Sequence, residues 1–333
     1  MYMEANSIFQ KQIMVKPIIV ITGPTGTGKT SLGIEVLQYI NGIIISADSR
    51  QVYKGVDYVT NKISPDTTQG KFVKHDGYWL QDGVTIYGYD VVSPDQEYNV
   101  TTFVLSSCDI IYDAWKSGKV PVVVGGTGFY VDALLGHASY STVGPNEILR
   151  NSLREKTSDQ LLKVLESVDP VCFNSLNKSD QNNPQRLIRY IEVASEVGSV
   201  KDGLTFSPLR SESDIDIYEY VLTSEYPELY RRSDKWIQKL IESNVLGDET
   251  EYLIREFPQT RLLEGLLFRT AKKYIASEIT SLEMQQVIIG ELHTYIRQQV
   301  HWLRRRPQRT WVNILEPGYE KFVVEGVKRW YDK

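Results

Sequence analysis

Residues 18–30 read Ile-Ile-Val-Ile-Thr-Gly-Pro-Thr-Gly-Thr-Gly-Lys-Thr, and this stretch decides the fold. A β-branched apolar run enters a glycine-rich turn, and Lys29-Thr30 stand where a helical pattern opens, with Leu32, Val36 and Ile40 at intervals of four. The order is strand, turn, helix. From Gly23 to Thr30 the spacing is G-x-x-x-x-G-K-[ST]. Gly23, Gly26 and Gly28 let backbone N–H groups curl around an anion, the helix N-terminus adds partial positive charge, and Lys29 supplies a full one. Thr25 and Thr27 complete the cradle, and the Thr30 hydroxyl suits a magnesium ion bridging phosphate oxygens. Nucleoside triphosphatases, small-molecule kinases and transferases with a diphosphate leaving group all use such a loop. The motif therefore specifies phosphate without saying which.

Outward from this loop, Gly42–Ser46 reads as a second buried strand and runs into Ala47-Asp48-Ser49-Arg50-Gln51-Val52-Tyr53. In an open α/β sheet ligands sit beyond the carboxyl ends of the strands, which puts Asp48 near the phosphate loop as a candidate base or metal ligand. Its plainer use would be a turn or helix cap. Gln81-Asp82-Gly83 between Tyr78-Trp79 and Val84, Ile86 marks a hairpin. Phe103, Ser107, Ile110, Ile111 and Ala114 share a helical face, closed by Ser117-Gly118. Val120–Val124 is a third buried strand, followed at once by Gly125-Gly126-Thr127-Gly128-Phe129-Tyr130. Strand, helix, strand in this order predicts a parallel sheet with right-handed crossovers.

From Asn146 to about Gly203 the pattern turns helical, and a β-like stretch at 215–222 returns the chain to the sheet. Helices are expected over 230–245, 262–277 and 281–303, the last opened by the capping box Thr280-Ser281-Leu282-Glu283. The predicted organisation is a loose arm (1–16), a first core part (17–136), an inserted helical module (137–205) and a second core part ending in helices (206–333).

Across 333 residues, 41% hydrophobic and 24% charged, the composition is that of a globular protein of about two domains. No apolar run is long enough for a signal sequence or a membrane span, so the reading is cytosolic, with no membrane partner. Cys108 and Cys172 stand far apart, outside any metal-ligand spacing, and read as two reduced thiols. A net charge of −5 argues against indiscriminate nucleic-acid binding, while leaving room for a local basic face. Arg297, Arg304, Arg305, Arg306 and Arg309, flanked by Trp302 and Trp311, form such a run, suited to phosphates or simply to a helix C-terminus.

The phosphate loop, Asp48-Ser49-Arg50-Gln51-Val52-Tyr53 and Val124-Gly125-Gly126-Thr127-Gly128-Phe129-Tyr130 together resemble the tRNA dimethylallyltransferases. Thr60-x-Lys62, Asp169-Pro170, Asn183-Pro184-Gln185-Arg186-x-x-Arg189 and Gln299-x-x-Trp302-x-Arg304 follow in the family's order. The likeness spans about residues 17–306. It implies a P-loop NTPase-like parallel sheet with an inserted all-helical module and a helical C-terminal part. It further implies transfer of a dimethylallyl group from dimethylallyl diphosphate to N6 of the adenosine 3′ of the anticodon, by a cytoplasmic, magnesium-dependent monomer.

On that likeness Asp48 is the general base, assisted by Lys29 and Thr127. Residues Gly23, Thr25, Gly26, Thr27, Gly28, Lys29 and Thr30 hold the diphosphate, with magnesium on Thr30. Asp48, Ser49, Arg50, Gln51 and Thr127 meet the target nucleotide. Arg150, Gln185, Arg186, Leu187, Ile188 and Arg189 meet the anticodon stem-loop. Where the family carries an arginine for the diphosphate, Trp236 stands here, with Lys235 beside it and Arg232 one turn earlier. Leu267-Phe268-Arg269 replaces Gly-Tyr-Arg, Leu292-His293 replaces Thr-Arg, and Gln298 replaces a further basic residue. The alternatives are an adenylate isopentenyltransferase using a free nucleotide, a P-loop small-molecule kinase or nucleotide-binding protein, and a tRNA-binding relative without catalysis.

Overall fold

The computed structural model describes residues 16–65 and 72–332. All but Lys16 of the arm expected over 1–16 lies outside the described residues, as does part of the segment after Ser64. Two compact units emerge, one of residues up to Val131 with Glu212 onward, the other Asp132–Ser211.

The first unit opens with β1 (Lys16–Thr22), α1 (Lys29–Val36) and β2 (Gly42–Ser46). The strands β3 (Phe72–His75), β4 (Tyr78–Gln81) and β5 (Val84–Tyr87) form a meander. Then come α2 (Val100–Lys116), β6 (Val120–Gly125) and α3 (Gly128–Leu134), which leads into the second unit. There, β7 (Tyr140–Ser141), α4 (Glu147–Leu153), α5 (Ser158–Val168), α6 (Pro170–Ser175), α7 (Lys178–Gln181), α8 (Pro184–Val197) and β8 (Leu204–Thr205) follow. The chain re-enters the first unit as β9 (Ile215–Thr223), α9 (Tyr226–Glu242), α10 (Val245–Glu256), α11 (Leu266–Ile275) and α12 (Ser281–Leu303). It ends with β10 (Thr310–Asn313) and α13 (Tyr319–Tyr331).

One sheet orders the strands β10-β9-β1-β6-β2-β5-β4-β3. From β10 to β5 every neighbour is parallel; β4 and β3 add an antiparallel edge. This is the P-loop NTPase-like sheet, with β1 in its interior. Ile18 to Ile21 are 0% exposed, because a parallel strand with helices on both faces must be apolar on both. Asp82 (φ 49) and Gly83 (φ 81) make the tight turn of the β4–β5 hairpin, both left-handed as such a turn requires. Phe103, Ser107, Ile111 and Ala114 are the buried face of α2, and Asn99 caps it by accepting from Thr102 N at 3.1 Å.

The helix expected over 230–245 is α9, and α10 follows it as a further helix that was not expected. Asn244 adopts φ 60, ending α9 and starting α10. A second apolar core forms where α9 to α12 pack on one another, including Leu229, Ile237, Leu253, Phe268 and Ile288.

In the second unit, Leu153, Leu161, Leu165, Leu187 and Ile191 form a small core. The module expected to be all-helical also contains a two-residue antiparallel ribbon, β7 with β8, which ties the chain's entry to its exit. A buried carboxylate organises the polar side. Glu192 accepts from Arg150 Nε (2.7 Å) and Nη2 (3.1 Å), Arg189 Nη1 (3.0 Å) and Asn146 N (2.8 Å). Burial raises its pKa, but the two arginines and the Asn146 N–H outweigh that and hold it below the ordinary value of 4.5. Its stabilising contribution is therefore full above pH 4.5 and fades as the pH falls through the folded value. Glu192→Ala is expected to cost about 2 kcal/mol, since it strands two half-buried arginines, read as a lower urea midpoint at pH 7 whose deficit shrinks in acid.

Candidate active site

Three loops meet at the carboxyl ends of β1, β6 and β2. The phosphate loop closes on itself: Thr27 Oγ1 donates to the Pro24 carbonyl at 2.8 Å, and Lys29 Nζ donates to the same oxygen at 2.9 Å. Gly26 (φ 85) and Gly28 (φ 79) supply the left-handed turns, and Gly28 leads directly into α1. The Lys29 ammonium is thus folded against its own loop. Burial pushes its pKa down to about 8, opposed by the carboxylate of Asp48. Asp48 and Lys29 thus face one another electrostatically across the loops.

The β2 and β6 loops are joined by backbone. Thr127 N donates to Ala47 O at 3.2 Å, and Ser49 N donates to Thr127 Oγ1 at 3.2 Å. A Cβ on Gly125 would lie 2.1 Å from Ala47 O, so only glycine permits this approach. Asp48 is half-buried, and its Oδ1 accepts from Arg50 N at 2.8 Å, a local turn that aims the carboxylate. Tyr89 is buried and hydrogen-bonds the Thr30 hydroxyl; burial raises its pKa.

From the far end of the chain, α12 seals the site. Gln299 Oε1 accepts from Thr25 N (3.1 Å) while its Nε2 donates to Gly126 O (3.1 Å), bridging the phosphate loop to the third loop. Trp302 lies against Gly128, where a Cβ would come within 2.3 Å of the indole. Gln299 and Trp302 are visible in sequence only as part of a motif. Tyr89 carried no sequence signal. On α9, Arg232 Cβ would be 3.4 Å from a Cβ on Gly26, which sets this arginine beside the phosphate loop, bonded to Glu228 at 2.7 Å. Trp236 packs against the apolar core of α9 to α12, with its indole N–H buried and without a partner. A cavity of about 390 Å³, lined by Thr223, Tyr226, Arg304, Trp311 and Asn313 among others, opens at the ends of β9 and β10.

All seven phosphate-loop residues, Asp48, Ser49, Arg50 and Thr127 therefore belong to one constellation. Gln51 does not present its side chain to it. It is 8% exposed, its oxygen accepts from Ser46 Oγ (2.7 Å), and its amide donates to Thr60 O (3.1 Å) and Asn61 O (3.3 Å). The amide is used up behind the loop, which corrects the expectation that it meets a nucleotide.

The remaining expected RNA contacts lie in the second unit. Leu187 is 0% exposed and belongs to that unit's core, so its side chain is unavailable. Ile188 packs against the same core. Arg150 and Arg189 are bonded to Glu192, and Arg189 also to Val143 O at 2.6 Å. Gln185 and Arg186 are exposed on α8, Arg186 paired with Asp180. In the C-terminal basic run, Arg306 and Arg309 pair with Glu219 at 2.7 and 2.8 Å, and Arg305 stacks on Trp302. Internal charge, rather than phosphate, holds those two arginines.

Among the described residues, no cluster of histidine, cysteine or carboxylate groups could hold a metal by itself, and no helix is long and apolar enough to cross a membrane. The model of the IPP transferase family matches residues 51–306. A tRNA dimethylallyltransferase of Endomicrobium trichonymphae is 32% identical over 296 residues, covering 88% of this chain and 93% of that protein. One from Carboxydothermus hydrogenoformans is 29% identical over 320 residues, covering 94% and 98%. The fold is shared with the solved tRNA isopentenylpyrophosphate transferase of Staphylococcus epidermidis (TM-score 0.65, 23% identity, 95% of this chain and 98% of that one). It is also shared with a eukaryotic dimethylallyltransferase acting on tRNA (TM-score 0.68, 22% identity, 90% and 74%). By the extent of the family match and of these relatives, the chain belongs to the IPP transferase family.

Proposed function

We propose that this protein transfers a dimethylallyl group from dimethylallyl diphosphate to N6 of the adenosine 3′ of the anticodon in tRNA, releasing diphosphate. The observation that carries the reading is that the β6 loop is bonded to the Asp48 loop through Thr127 and to the phosphate loop through Gln299, which brings a carboxylate and an anion cradle to one place. An adenine N6 lone pair is delocalised into the ring and attacks poorly. Asp48 takes the N6 proton as the N6–C1 bond forms and the C1–O bond breaks, the bonding pair leaving with the diphosphate. Lys29 and the N–H groups of residues 26–30 receive that charge in a site already ordered around it, Thr25 N being held by Gln299. Thr127 accepts from Ser49 N, which leaves its own proton free to donate to the leaving oxygen or the adenine.

A divalent ion suits this donor set, because the Thr30 hydroxyl is a hard oxygen ligand and the diphosphate would furnish the others. Magnesium held there by Thr30 would offset charge on the leaving group. Ser49 and Arg50, beside Asp48, would meet the flipped nucleotide, and Gln185 and Arg186 on α8 would meet the backbone of the anticodon stem. Arg150 would act by holding α4 to α8, and Arg189 by holding the 141–143 segment to α8. The enzyme is taken as a cytoplasmic monomer.

The direct test incubates the protein with magnesium, dimethylallyl diphosphate and unmodified tRNA, and then looks for N6-prenyl adenosine by mass after digestion; no product beside an active control enzyme would defeat the reading. A free adenylate as acceptor in place of tRNA separates the nucleotide-level alternative. Asp48→Asn is expected to lower kcat by about 10²–10⁴-fold with pyrophosphate affinity retained. Since Lys29 titrates near 8 in the free protein, kcat/KM for the prenyl diphosphate should decline as pH rises through that value. At saturating diphosphate the bound anion keeps the lysine charged, so kcat should fall less. A flat kcat/KM profile to about pH 9.5 would remove Lys29 as the titrating cation.

A further inference from the structure

The loop that carries Asp48 is held from behind by groups that the reaction itself does not use. Asp48's own carboxylate bonds locally, to Arg50 N. Gln51 ties the end of β2, through Ser46 Oγ, to Thr60 O and Asn61 O in a turn formed by residues 57–62. Lys62, whose side chain is 0% exposed, donates to Tyr53 O at 2.8 Å and pairs with Asp57 at 2.7 Å and with Asp90. Both anchors depend on where that turn sits.

The turn is gripped at its start by one carboxylate. Glu249 of α10 is 9% exposed, and its Oε1 accepts from Asp57 N (2.7 Å) and Tyr58 N (2.8 Å) while Oε2 accepts from Val59 N (3.0 Å). Three successive N–H groups converging on an anion make a backbone nest, a strong and directional hold. One turn along α10, Tyr252 backs Gly55, where a Cβ would lie 2.6 Å from the ring. Val56 and Val59 are buried in the core of α9 to α12. Residues 53–62 are therefore fastened to α10, and the Asp48 loop is fastened to residues 53–62.

We propose that Glu249 is a positioning residue for the Asp48 loop, setting the general base through the 57–62 turn and Gln51. This rests on the function proposed above. Glu249→Gln is nearly isosteric, but it replaces one acceptor oxygen with an amide that opposes the N–H groups it faces, so the turn loses its register while the phosphate loop, bonded elsewhere, keeps its own.

Two measurements on the full-length protein test it. Amide hydrogen exchange compares residues 47–53 with residues 23–30 in wild type and Glu249→Gln and needs no substrate. Steady-state kinetics separates kcat from KM for dimethylallyl diphosphate with tRNA saturating. Faster exchange at 47–53 with 23–30 unchanged, together with kcat lower by about 10-fold and KM within about 2-fold of wild type, is the expected result. Unchanged exchange at 47–53 overturns the proposal, as does a wild-type kcat or a KM that rises in step with the loss. If Glu249→Gln does not fold, Glu249→Asp, which keeps the charge and shortens the reach, carries the same comparison. Failure of both to fold makes Glu249 a stability residue and also overturns it. A wild-type protein without turnover on tRNA would defeat the proposed function, and exchange would then decide the positioning role by itself.

Discussion

The site depends on how closely the carboxyl ends of β1, β6 and β2 approach one another, and glycine sets that distance. A methyl on Gly125 would stand 2.1 Å from the Ala47 carbonyl, and on the other side of β1 one on Gly23 would stand 2.5 Å from the Leu222 carbonyl of β9. With hydrogen in place of a side chain, the strands deliver the phosphate loop, Asp48 and Thr127 close enough for backbone N–H groups to bond across the loops. A bound phosphate and a carboxylate can then share one small volume, with the loop N–H groups and Lys29 offsetting the repulsion between the two anions. Lys29 mediates between the two: burial makes its ammonium give up its proton more readily, while Asp48 supports its charge.

The C-terminal helices complete what the sheet begins. Gln299 joins two loops with a single amide, Trp302 fills the space left by Gly128, and α10 supports the Asp48 loop from below. Several charges in this half of the chain are spent internally. Arg306 and Arg309 neutralise Glu219, and Arg269 binds Glu291. The tryptophan at 236 fits the same pattern, since it packs into the helical core while Arg232 remains beside the phosphate loop.

Local chemistry made the first half legible. Continuous β-branched runs bounded by glycine can only be buried strands, the Asp82-Gly83 pair can hardly be anything but a tight hairpin, and the capping box at Thr280 appears as expected. Helix α10 was not legible because its buried face mixes Glu249 and Thr250 with Leu246 and Leu253, which blurs the apolar periodicity. Short β10, on the edge of the sheet, gives too few residues for a pattern to show.

By itself the sequence determined the parallel sheet, the phosphate loop and the presence of Asp48 and Thr127 at strand ends, because each follows from spacing along a continuous stretch. Tertiary structure alone decided which polar residues face the site and which are consumed in holding it. Gln51, Arg150, Arg189, Arg306 and Arg309 read as contacts for an outside partner, yet they bond within the protein to groups between 3 and 90 positions away. Apart from near neighbours such as Arg189 and Glu192, a polar side chain's partner is a matter of three-dimensional proximity that spacing along the chain does not record.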